Sequence, residues 1–376
     1  MNNRQRQNAV LNYENYDRMP VVHFGFWDEL LKKWVQEGHL KSDEIINASD
    51  GSANEKIIEK KLGFDFNYYV TYQDLSGFSS LFPAFERKRI RDLGNGSYEC
   101  LNEDGMIVLQ KEGTRSIPAE IDHLLKDRTS WEEHYLPRLQ YSESRFDDSV
   151  LQKLAFESQN RSEPLGIYCK SLFGQIRNWL GVEGISYLYA DDEDLYDEII
   201  NTVGDLAYKT TKRALESGIV FDFAHFWEDI CFRNGPLVIP SVFSEKVGPH
   251  YRRICDLLNS YGINIISLDC DGLIDFLIPI WFENGVNTMF PVEVGTWNGN
   301  IAPWREKYGK ELRGVGGMIK HVLSMDKAAV DAEIERLKPL VALGGFIPCP
   351  DHRLPPDTKW ELVQYYCDRM RTVFSN

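Results

Sequence analysis

Residues 341–358 read Val-Ala-Leu-Gly-Gly-Phe-Ile-Pro-Cys-Pro-Asp-His-Arg-Leu-Pro-Pro-Asp-Thr. They set a carboxylate, Asp351, beside an imidazole, His352, on a proline-stiffened segment. A carboxylate and an imidazole held together are suited to proton transfer. The apolar opening predicts a buried strand over 341–347. Pro348 and Pro350 are expected to stop that strand, since neither can donate to a ladder. Pro355 and Pro356 extend the next turn, and Asp357 or Thr358 is expected to cap a last helix near 359. In an α/β barrel this is where catalytic groups sit. The plain alternative is a polar surface turn whose His bonds only backbone.

The other expected strand ends carry polar groups too: His23; Tyr72, Gln73 and Asp74; Lys170; His225, Trp227, Glu228 and Asp229; Asp269 and Asp271; Glu293; Lys320 and His321. Mutual repulsion and burial can bring a carboxyl pKa toward neutrality. Asp229, Asp269, Asp271, Glu293 and His352 are therefore the candidate acid–base groups. Residues two apart on a strand face the same way, so Asp269 and Asp271 point to one site and Cys270 into packing. Asp269, Asp271 and His352 could hold a divalent metal such as zinc, and the competing reading is a metal-free acid–base site. His23, Phe26, Trp27, His225, Trp227, Glu228, Lys320 and Asp351 are the candidates to shape and orient a substrate.

The elements that would position these groups alternate. Strands are expected over 19–24, 64–70, 165–169, 219–225, 263–268, 287–292, 312–318 and 341–347. Helices are expected over 4–13, 54–62, 193–217, 244–261, 273–284, 301–308, 327–337 and 359–374, with a short segment at 237–240. Strand–helix alternation with short connections is the mark of a parallel sheet. About eight strands suggest a closed (β/α)8 TIM barrel in one domain, 1–376. A doubly wound sheet is the alternative, but no GxGxxG or GxxxxGK[ST] follows a strand. Residues 85–113 alternate polar and apolar around Asn95-Gly96 and Asp104-Gly105, which predicts antiparallel hairpins, and 117–157 reads as helix with interruptions. Together 85–160 is expected to be a β-hairpin and helical insertion in the N-terminal half of the barrel.

The 376-residue chain carries a net charge of −15, which argues against nucleic-acid and anionic-membrane partners. Seven cysteines with no CxxC pair argue for a reducing cytoplasm rather than a disulfide framework. No signal peptide or membrane span is expected.

Several segments together resemble the uroporphyrinogen decarboxylase superfamily, which includes the methylcobamide:coenzyme M methyltransferases. They are Arg4-x-Arg6 with Tyr16-Asp17-Arg18-Met19-Pro20; Trp227-Glu228-Asp229 with Gly235-Pro236-Leu237 and Pro240; Asp271-Gly272; Pro291-Val292-Glu293-Val294; Gly316-Gly317-x-x-Lys320; and His352-x-Leu354-x-Pro356-x-Thr358. The resemblance implies a (β/α)8 barrel and an enzyme acting on a small molecule at the barrel mouth, and it matches His352 to the family's site histidine. The decarboxylases' Arg-rich loop after the first strand is replaced here by His23-Phe24-Gly25-Phe26-Trp27. An octa-anionic porphyrinogen lacks its clamp there. The methyltransferases' His-x-Cys and later Cys are replaced by Asp269-x-Asp271 and His352, so a thiolate zinc site is absent. The expectation is corrinoid-linked methyl transfer from a small methylated substrate, with the corrinoid on a partner protein. The alternatives are decarboxylation of a porphyrinogen-like acid, which predicts Lys170, Arg177, Lys320 and Arg353 converging on the pocket, and a non-catalytic binding barrel. Family members often dimerise, so a homodimer is the expectation for assembly.

Overall fold

The computed structural model describes residues 1–77, 80–112 and 118–375. Gly113 and Ile117, which bound two expected segments, lie outside the described residues. The strands are β1 (Val22–His23), β2 (Phe66–Asn67), β3 (Tyr72–Gln73), β4 (Lys88–Gly94), β5 (Ser97–Leu101), β6 (Met106–Lys111), β7 (Ala119–His123), β8 (Gly166–Tyr168), β9 (Phe223–Trp227), β10 (Cys231–Phe232), β11 (Gly235–Pro236), β12 (Ile266–Asp269), β13 (Thr288–Val292), β14 (Arg313–Met318) and β15 (Phe346–Pro350).

The fold is mixed α/β around a large parallel sheet. Seven strands follow the order β15-β14-β13-β12-β9-β8-β3, and each neighbouring pair is parallel. β1 and β2 form a separate parallel pair, and one bridge joins Phe26 to Leu354 just beyond β15. β12, β13 and β14 are buried along their whole length, as strands of a parallel sheet covered on both faces are. Helices cover the sheet through apolar stripes. The helix Glu193–Leu215 buries Leu195, Ile199, Val203 and Leu206 at helical spacing, and Asp192 caps its start.

Several expected elements are corrected. Val341 and Ala342 end the helix Lys327–Ala342 rather than open a strand, and the strand is Phe346–Pro350. Pro348 and Pro350 therefore lie inside it. Asp351 N donates to Met318 O, so alternate residues from Asp351 back face β14. The two prolines turn to the opposite edge, where β15 has no ladder partner and their missing N–H groups cost nothing.

Residues 119–123 are β7, not helix; they complete a four-stranded antiparallel sheet with β4, β5 and β6, Ala119 pairing with Leu109. The expected 64–70 strand is broken by a turn at Tyr68–Val70, whose Tyr69 N–H is held by Asn67. Helix 244–261 splits into Pro240–Lys246 and Gly248–Ser260. The last helix, Trp360–Val373, has Lys359 at its cap with no side-chain bond. Among the described residues no helix is long and apolar enough to cross a membrane.

Candidate functional site

β9, β12 and β13 lie side by side, and their carboxyl ends deliver four carboxylates to one place. Asp269 ends β12 in register with Trp227 of β9. Asp229 follows β9, Asp271 follows β12 and Glu293 follows β13. The strand parity expected for Asp269, Cys270 and Asp271 holds. Cys270 is buried and takes the Ile230 N–H on its sulfur, while the two carboxylates share the opposite side. Asp269 is only 4% exposed. Among the described residues no hydrogen-bond donor reaches its carboxylate. Burial, then the charges of Asp271, Asp229 and Glu293, push its pKa well up. Burial and Asp271 also raise Asp229, against Arg177 at 3.2 Å. Glu293 is raised chiefly by burial and Asp271, and is anchored by Gly272 N at 2.7 Å and Trp297 Nε1 at 3.2 Å.

His352 approaches this group from beyond β15. Its Nε2 stands 3.6 Å from Asp271 Oδ2. The ring stacks on Trp27 at 6.0 Å and meets the edge of Phe24 at 5.3 Å. Asp229, Asp269, Asp271, Glu293 and His352 are therefore brought together, and Trp27 joins them. Trp227, in register with Asp269, is half-buried on the same side of β9.

Other expected site residues are engaged elsewhere. Glu228 is wholly buried and accepts from Ser171 Oγ, Leu172 N, Phe173 N, Gly174 N and the Tyr251 hydroxyl. It caps the helix Gly174–Asp191, whose first residue must be glycine because a Cβ there would lie 1.7 Å from Glu228 O. Burial pushes the Glu228 pKa up and these donors pull it back. Asp351 is 1% exposed and ties three loops by accepting from Val294 N, Gly295 N and Lys320 N. Lys320 Nζ faces it at 3.7 Å.

His23 is buried against the helix Ala53–Leu62, with Nε2 2.8 Å from Glu59 and Nδ1 accepting the Gly25 N–H. Phe26 packs on His23, Trp34 and Phe64. His225 lies within the sheet's enclosed side. It is bonded through Nδ1 to Ser267 at 2.6 Å and stacked on Tyr72 at 3.9 Å, and burial takes its pKa down to about 3.

An aromatic wall runs alongside the acids. Phe24 is 5.3 Å from Tyr69, Tyr69 is 5.8 Å from Tyr72, and Tyr72 is 5.8 Å from Tyr168. Burial and then Asp269 take the Tyr69 pKa up to about 12. Arg353 lies over Phe24 and Tyr69 while bonding both oxygens of Asp50. Phe24, Tyr69 and Asp50 were not among the sequence candidates. The signal for Phe24 was parity: if His23 faces the helices, Phe24 must face the other way.

Asp269, Asp271 and His352 do not bring three donor atoms within 4.8 Å of one another, whereas His23, Glu55 and Glu59 do. That triad is compatible with an ion, but its donors are already used. His23 spends both nitrogens, and Glu55 accepts from Gly51 N and Asn67 Nδ2. A ligating imidazole would have to give up one of those bonds. Glu55 is pushed up to about 7, chiefly by burial.

No protein-family model matches the chain, and no curated protein matches it in sequence. Among solved structures it is similar to a methyltransferase from Methanosarcina mazei, with a TM-score of 0.59 and 13% identity over 99% of both chains. It also aligns with a B12-independent methionine synthase from Shewanella sp. W3-18-1, with a TM-score of 0.46 and 10% identity over 95% of this chain and 98% of that one. The first likeness establishes a shared fold; the second is too distant to bear on this chain.

Proposed function

We propose that this chain is a methyl-transferring enzyme of the uroporphyrinogen decarboxylase superfamily type, working at the mouth of a closed (β/α)8 barrel. The observation that carries the reading is the meeting of Asp271 and His352 at 3.6 Å beside the unpaired Asp269. β12 and β15 are three strands apart in the sheet, roughly 14 Å if it were flat. Contact between their following loops supports a rolled sheet. So do Tyr68 and Phe24, each 4.7 Å from Phe290 across the interior. In this reading the β1–β2 pair and the Phe26–Leu354 bridge complete the barrel. Residues 1–376 form one domain, with 85–160 inserted in it.

The methyl donor sits against the aromatic wall, and the acceptor is a corrinoid carried by a partner protein, which supplies the nucleophile. The chain's own residues bind and orient. Trp27 and Phe24 fix the His352 ring, and Asp271 faces its Nε2 at 3.6 Å, so a protonated His352 would be placed to give a proton to the leaving group. Asp229 and Glu293 set the local field, and Trp227 lines the same side. No step is assigned to a metal, because Asp269, Asp271 and His352 do not form a ready ligand set. All seven cysteines are free and buried, which suits a reducing cytoplasm. A homodimer remains the family-based expectation.

Decarboxylation of a porphyrin-type acid is disfavoured by the charges. Its four candidate cations are each already facing a carboxylate: Lys170 with Asp74, Arg177 with Asp229, Lys320 with Asp351 and Arg353 with Asp50. Equilibrium binding of cobalamin against a porphyrin octa-acid tests the reading. Cobalamin binding alone is expected, and tight porphyrin binding would overturn it.

A further inference from the structure

We infer that Asp50 and Arg353 are positioning residues for His352: their ion pair, laid over Gly25, fixes where the imidazole stands against Asp271. The place of the ring is separate from the reaction it serves, so this goes beyond the methyl-transfer reading. His352 has little of its own to hold it. Among the described residues its one polar side-chain contact is Nε2 to Asp271 Oδ2, at 3.6 Å. That is longer than an N–H···O bond, and a displacement of about 0.5 Å separates a bond from none. Otherwise the ring meets only Trp27, by stacking, and Phe24, by its edge. Its position is therefore set by the residues around it.

Those residues are tied on both sides. Asp351 N donates to Met318 O, and the Asp351 carboxylate takes the amides of Val294, Gly295 and Lys320. Leu354 N donates to Gly25 O at 3.1 Å, and Trp27 N to Leu354 O at 3.3 Å. Between them Arg353 grips Asp50 with both ends of its guanidinium, Nη1 to Oδ1 at 3.0 Å and Nη2 to Oδ2. A bidentate pair of this kind fixes direction as well as distance. The guanidinium carbon also lies 5.8 Å from the Phe24 ring centre and 5.4 Å from that of Tyr69. Phe24 is the ring whose edge meets His352, so Arg353 acts on the imidazole through the backbone and through Phe24. Asp50 is held in turn by Asn67 Nδ2 at 3.2 Å, and its neighbour Gly51 donates to Glu55.

A second observation comes from the opposite strand end. Gly25 has φ +90°, and a Cβ there would lie 2.5 Å from Arg353 Nη1 and 2.7 Å from Asp50 Oδ1. The ion pair occupies the space a side chain would need, directly over the backbone that joins Phe24 to Phe26. The groups that face His352 are acids from three loops: Asp271 after β12, Asp229 after β9 and Glu293 after β13. A ring that drifts away from them loses the field that favours its charged form.

The test follows the His352 imidazole by NMR in the full chain labelled with 13C-histidine. The signal is assigned by its loss in His352→Ala and titrated from about pH 5 to about pH 9 without substrate. Arg353→Met keeps an apolar stem on Phe24 and Tyr69 but removes the guanidinium. Gly25→Ala wedges the pair apart without changing any charge. Loss of a nearby positive charge would by itself raise the titration midpoint. Loss of position is expected to lower it instead, by about 0.5 pH unit in each variant. A rise or no change in Arg353→Met, or an unmoved midpoint in Gly25→Ala, would overturn the inference. Loss of the fold in both variants, read by circular dichroism, would make the pair a structural bridge and overturn it too. The titration needs no turnover, so it decides the placement of His352 whether or not methyl transfer is found.

Discussion

Replacing Asp269 by Asn should stabilise the protein at neutral pH. The carboxylate is buried, has no donor among the described residues, and faces Asp271, Asp229 and Glu293. Leaving a buried polar group uncompensated costs roughly 1–3 kcal/mol. For a chain of 376 residues, the unfolding entropy of about 2.1 cal/mol/K per residue gives about 0.8 kcal/mol/K. The variant should therefore melt about 1–4 °C higher at pH 8. The sign with pH follows from the raised pKa. The folded state holds the proton more tightly, so the wild type loses stability as pH climbs above the unfolded value of about 3.9. Below that value both states are protonated and the advantage of Asn should vanish. Differential scanning calorimetry of both proteins at about pH 3 and pH 8 measures it. A variant that melts lower than wild type at pH 8 would mean that Asp269 is a paired structural carboxylate, and the reasoning about an unsatisfied site would fail.

Three further outcomes are expected. Glu228→Ala strips the acceptor from five donors and should cost about 3–5 kcal/mol, lowering the melting temperature by about 4–6 °C; an unchanged melt would remove its role as a helix cap. His352→Ala removes two ring contacts, worth about 0.5–1.5 kcal/mol each, so turnover should disappear while calorimetry shows a shift of a few degrees at most; unfolding instead would make His352 structural. Glu55, pushed up to about 7 mainly by burial, favours the folded state when protonated, so its contribution should fall as pH rises from about 4.5 to about 7, by about 3 kcal/mol. Denaturant titration across that window should show the slope flattened in Glu55→Gln, and an unchanged slope would refute the assignment.

Much of the scaffold was legible because it is repetitive. The helix Ile301–Tyr308 and strand β13 follow directly from apolar period and turn residues. Strand parity correctly aimed Asp269 and Asp271 one way and Cys270 the other. What failed was anything decided by distant partners. Glu228 looked like a site residue, but the helix terminus it caps begins at Gly174, far away in sequence. Asp351 sat beside His352 and looked equally catalytic, yet it is used by backbone amides of two other loops. Pro348 and Pro350 looked like strand breakers because the sequence does not reveal which edge of β15 is unpaired. His23 faces the helix layer and Phe24 the site, a one-residue choice that the apolar run over 19–24 could not make.

The central claim is methyl transfer at the Asp271–His352 site. The most direct measurement is NMR detection of a 13C-methyl group passing to added cobalamin from a panel of methylated ammonium, thioether and methoxyl compounds. The account predicts label on the cobalamin with the wild-type protein and none with His352→Ala. Label remaining on every donor, or equal transfer by the variant, would contradict it.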